Sequence, residues 1–79
     1  LLQSVVPDSV IKYLQKNHDW VCVKDDDGIR QIWDNGDIQV LVPLYPAFRD
    51  YALRVHDVLV TLSEFEGRTK EEILMEIMN

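Results

Sequence analysis

Residues 7 to 16, PDSVIKYLQK, place Pro7, Val10, Ile11 and Leu14 at helical spacing. Pro7 is tolerated in a first turn and Asp8 suits the positive end of the helix, so the pattern predicts a helix over about residues 7 to 16, ended by Asn17 and His18. The period then changes. WVCVK, IRQIW and IQVLVPL are rich in β-formers, and the dipeptides Asp27-Gly28 and Asn35-Gly36 fall between them. Such dipeptides favour the positive-φ turns of tight hairpins, which predicts a three-stranded antiparallel meander. Pro43 fits the end of the last strand or an edge, where no ladder donor is needed.

Beyond Pro46, a residue suited to a first helical turn, Phe48, Tyr51, Ala52, Val55, Val58, Leu59, Leu62 and Phe65 form one continuous apolar stripe. A helix of about 18 to 20 residues is expected there, with Gly67 as its left-handed stop. Thr69 and Glu72 have the T-x-x-E spacing of a capping box, opening a last short helix that carries Ile73, Leu74, Ile77 and Met78. The expected fold class is α+β, a three-stranded antiparallel meander with a long helix packed on one face, in the order α-β-β-β-α-α.

Alternation assigns the sheet residues to faces. With Asn35-Gly36 as a two-residue turn, Trp33 pairs with Ile38, Gln31 with Val40 and Ile29 with Val42. One face then carries Trp20, Cys22, Ile29, Trp33, Ile38, Val40, Val42 and Leu44 and is assigned to the long helix. The opposite face carries Val21, Val23, Arg30, Ile32, Gln39, Leu41 and Pro43, too apolar for a solvated back. Either a terminal helix folds over it or a partner does. The candidate partner-binding set is Val21, Val23, Ile32 and Leu41, with Ile73, Leu74, Ile77 and Met78 of the last helix in support. The partner is expected to be another protein or a second copy of the chain.

At 79 residues the chain is read as a single domain over 1–79, burying only about 60 to 65 percent of its unfolded surface. The net charge is −6, and residues 34 to 79 hold nine acidic groups against four basic ones. That balance disfavours nucleic acid and membrane surfaces, both of which recruit Lys and Arg. Cys22 is the single cysteine, expected as a sheet or core residue in a reducing, cytoplasmic setting. No apolar run is long enough to span a membrane and residues 1 to 6 lack a signal-peptide pattern. The opening LLQSVVP, without Met, is what a trimmed chain or a piece of a longer one would show.

Candidate chemistry is sparse. The segment KDDDG suggests a calcium loop, but the position five before Gly28 is Val23 where an Asp is needed, and the flanks read as strands. His18 sits at a helix end, and His56 has Asp57 beside it, but neighbours one apart on a helix do not face each other. No catalytic, cofactor or metal residue is expected, and calorimetry with divalent metals should be flat. Asp50 with Arg54 and Glu64 with Arg68 have the spacing of supporting helical pairs.

The order α-β-β-β-α, the DW opening the first strand and the VLVP closing the third resemble the small HicA-type toxin domain, a variant of the double-stranded-RNA-binding fold. That resemblance implies ribonuclease chemistry from a Gly-Ser-His segment at the second strand, and the matching positions here are Gly28, Ile29 and Arg30. The stretch from Leu41 to Leu74 is also similar to the tails of uncharacterised small bacterial proteins. Two functions are therefore expected. The first is a non-enzymatic interaction module or accessory subunit of a bacterial system. The second is a degenerate nucleic-acid-binding domain of toxin-antitoxin type, using Lys12, Lys16, Lys24 and Arg30.

Overall fold

The structure, a computed structural model, describes residues 2–79, so Leu1 of the expected domain lies outside the described residues. A 3-10 turn at Leu2–Ser4 leads into helix α1, Pro7–Lys16. Strands β1 (Val21–Asp26), β2 (Arg30–Asp34) and β3 (Gln39–Pro43) follow, and then helices α2 (Tyr51–Glu66) and α3 (Lys70–Met78). The fold is α+β: an N-terminal helix, an antiparallel meander in the order β1-β2-β3, and two helices packed against the sheet.

Local chemistry explains each boundary. Pro7 occupies the first turn of α1 after an extended Val6, and the Asn17 amide closes the other end onto the Leu14 carbonyl at 3.2 Å. Gly67 stops α2 at φ 67°, a left-handed conformation that costs glycine little. Thr69 and Glu72 form the reciprocal capping box of α3, and the amide and hydroxyl of Thr69 hold the Glu72 carboxyl below the usual carboxylate range.

One hydrophobic core joins the helices to the inner sheet face. Val10, Tyr13 and Leu14 of α1, Tyr51, Val55, Val58, Leu59 and Leu62 of α2, and Ile73 and Ile77 of α3 meet Trp20, Trp33, Val40 and Val42. Leu14, Val42, Leu62 and Ile73 are fully enclosed, each worth roughly 1.5–3 kcal/mol of transfer free energy. The Tyr51 hydroxyl, donating to the Val5 carbonyl, ties the N-terminal segment to α2.

The helical end of the core is clasped by a polar cluster. The Tyr13 hydroxyl donates to the Glu66 carboxylate at 2.8 Å, and Arg68 reaches Glu66 at 3.2 Å and Glu76 at 2.8 Å. The expected Glu64–Arg68 pair therefore does not form. Gly67 turns the chain out of the helix, and Arg68 faces back to Glu66 and on to α3. Burial, then the bond to Glu66, pushes the Tyr13 phenol above its ordinary pKa of 10.0, so the folded state keeps a proton that the unfolded state releases. The contribution of Tyr13 to stability is thus complete below pH about 10 and falls as pH rises beyond it. Tyr13→Phe should cost about 1 kcal/mol at neutral pH. It should also shrink the loss between about pH 8 and pH 11, read as urea midpoints at both values. An equal alkaline loss in wild type and variant would contradict this role.

Candidate outer sheet face

The register decides which residues the sheet presents outward. β2 pairs with β3 through Trp33–Val40, Ile32–Leu41 and Arg30–Pro43, two positions away from the pairing a two-residue turn would give. Residues 35–38 form a four-residue loop instead. The Asn35 side-chain oxygen accepts from the amides of Asp37 and Ile38, both at 2.9 Å, and Asp34 accepts from the Gly36 amide. These side-chain turns outcompete the tight hairpin. A shift of two preserves parity, so Trp33, Val40 and Val42 stay on the core face. Ile38 does not: it lies in the loop, partly exposed, and Trp33 faces Val40 in its place. Ile29, also expected inside, sits in the β1–β2 turn and is 48% exposed.

A second departure lies in β1. Cys22 pairs with Trp33 and Lys24 with Ile32, leaving Val23 as the unpaired residue of a β-bulge. Past the bulge the alternation shifts by one. Lys24 and Asp26, rather than Val23, stand beside Ile32 and Arg30, and Asp25 goes to the other face, where it accepts from the Gln31 side chain at 3.2 Å. Val23 is exposed on the β1 edge and does not belong to the outward row.

The outer face thus consists of three cross-strand rows: Val21–Asp34–Gln39, Lys24–Ile32–Leu41 and Asp26–Arg30–Pro43. No helix covers it. Val21 is 60% and Leu41 39% exposed, and Ile32 is half-buried. At one end the face runs into a groove of about 350 Å³ lined by Ile29, Leu41, Pro43, Phe48 and Tyr51, with Arg30, Asp50 and Arg54 also on its walls. Phe48 was expected on the helical stripe. Instead α2 begins at Tyr51, and residues 46–50 form turns in which Phe48 packs edge-on against Tyr45 with ring centroids 4.7 Å apart.

The last helix departs most from expectation. Ile73 and Ile77 are core residues and cannot meet a partner without unfolding α3. Leu74 packs against the edge of that core, and exposed Met78 lines a cleft with α1. None of the four extends the outer sheet face. Ile29 and Phe48 do extend it, and the sequence pattern had placed both inside.

The charges on the face are ordered. Arg30 pairs with Asp26 at 3.1 Å, whereas Asp34 accepts from the Gln39 side chain at 3.0 Å. The Gly36 amide and then Gln39 hold the Asp34 carboxyl below the ordinary carboxylate value. The expected nucleic-acid set is divided: Lys12 and Lys16 line the α1–α3 cleft with Glu76, while Lys24 and Arg30 are on the sheet. His18 and His56 are both exposed, and among the described residues no group of three His, Cys, Asp or Glu side chains could hold a metal ion. No helix among them is long and apolar enough to cross a membrane. Family models, curated proteins and solved structures yield no match to the chain.

Proposed function

We infer that the chain is a non-enzymatic protein-interaction module that docks on protein through the outer face of its sheet. One observation carries this reading: Ile32 and Leu41, continued by Ile29 and Phe48 along the groove, form an apolar strip left open to solvent, with exposed Val21 at the far corner of the same face. A sheet face left to solvent normally alternates to polar residues, and a contiguous apolar patch marks a contact surface. The groove opens along the sheet, a shape that suits protein more than a small ligand, which is held by an enclosing pocket. Nucleic acid would need one basic stripe, and the four candidate cations lie in two separate places.

A photoreactive amino acid placed at Leu41 tests the reading. Irradiation in cells should yield discrete protein adducts from position 41 and none from His56, an exposed residue on the helical side of the fold. Equal labelling from both positions, or none from Leu41, would contradict the assignment.

A further inference from the structure

We propose that the occupant of the outer face is a second copy of this chain, docked about a two-fold axis that runs perpendicular to the strands and passes over Ile32. This rests on the docking surface inferred above and names its partner. The central row, Lys24–Ile32–Leu41, is apolar except at its β1 edge. On the middle strand Asp34 lies one row to one side of it and Arg30 one row to the other. The rows are about 7 Å apart. Arg30 gives its Nε to Asp26 of its own chain at 3.1 Å and keeps its two terminal nitrogens for a second carboxylate. A surface with such a cation and an anion on opposite sides of an apolar centre can meet its own copy in two symmetric ways, and charge separates them.

An axis along the strands would set Arg30 over Arg30 and Asp34 over Asp34, two like-charge contacts at the centre. An axis across the strands sets Arg30 of each copy over Asp34 of the other and brings Ile32 to Ile32 and Leu41 to Leu41. Lys24 meets its own copy in that arrangement, but on the β1 edge, where both ammoniums swing into water. Stacked sheets lie about 10 Å apart, a gap that an Arg and an Asp side chain span together. Aligned sheets cross at about 30°, which displaces groups one row from the axis by only about 4 Å. The Asp34 carboxylate, ionised and held by Gly36 and Gln39, keeps free lone pairs for a guanidinium.

The whole chain carries −6, so most of its surface repels a copy. The outer face is the exception, since Lys24 and Arg30 balance Asp26 and Asp34. Three strands of about five residues offer roughly 250 Å² in plan. That is well below the ~800 Å² per partner of a standard stable interface, so the dimer is weak and forms only at high protein concentration.

Sedimentation equilibrium of the full chain at about 100 μM tests the geometry. Wild type should rise from 9.2 kDa toward twice that mass. Arg30→Glu and Asp34→Lys should each be monomeric, because every symmetric pair becomes like-charged. An equimolar mixture of the two variants should associate again, since both cross-pairs are then unlike. A chain carrying Arg30→Asp and Asp34→Arg together should also associate, and Arg30→Glu, which leaves the Asp34 loop bonds intact, decides the question if the Asp34 variants fail to fold. Wild type that stays monomeric overturns the proposal, as does failure of both the mixture and the double swap to associate. Adducts from position 41 to a protein of different mass would then leave the docking surface standing with another occupant. Their absence as well would remove both.

Discussion

Trp33→Ala is expected to destabilise the protein by about 3–5 kcal/mol, the range for truncating a buried large aromatic. Trp33 is 6% exposed, lies between Cys22 and Val40 in the sheet, and joins the cluster formed by the helices. Its indole N–H also donates to the Gln31 side chain at 3.0 Å, so truncation removes a hydrogen bond along with the packing. A domain of 79 residues has about 4–12 kcal/mol of stability in total. The variant should therefore be largely unfolded, or unfold with little urea. A shift of less than about 1 kcal/mol in a urea titration would mean that the core does not rest on this face.

The core face was legible because hydrophobic alternation and helical spacing both survive small errors of register. Asn35-Gly36 suggests a two-residue turn, yet Asp34 and Asn35 use their side chains to build a four-residue loop. The slip of two left Trp33, Val40 and Val42 inside. The capping box of α3 and the Gly67 stop were legible too, since each is a local bond pattern with its own residue signature.

The outer face was less legible, for identifiable reasons. A bulge at Val23 carries neither Gly nor Pro, so strict alternation placed Val23 where Lys24 stands. Pro46 resembles a helix start, but the edge-on contact of Tyr45 with Phe48 stabilises turns before α2, and this moves Phe48 to the groove. Spacing alone could not say whether Ile73 and Ile77 dock within the chain or on a partner. Packing against α1 and α2 answers that, and they belong to the core.

These corrections narrow the candidate surface and change its character. All four terminal-helix residues leave it, as does Val23, and a mixed-charge frame of Lys24, Asp26, Arg30 and Asp34 takes the place of a wholly apolar sheet back. In the proposed complex the apolar centre would supply affinity, whereas the flanking charges would set orientation and exclude wrong partners.

The central claim is that one face of the sheet holds the fold together and the other is kept for a protein partner. Ile32→Asp tests it most directly, combined with the photoreactive residue at Leu41. A charge in the middle of β2 on the uncovered side should cost only about 1 kcal/mol of stability, within the span of strand preferences. The same charge desolvated at an interface centre should abolish the adducts from position 41. A folded variant without adducts is the predicted result. An unfolded variant would show that the outer face is closed within the chain, and a folded one with undiminished adducts would show that partners bind elsewhere.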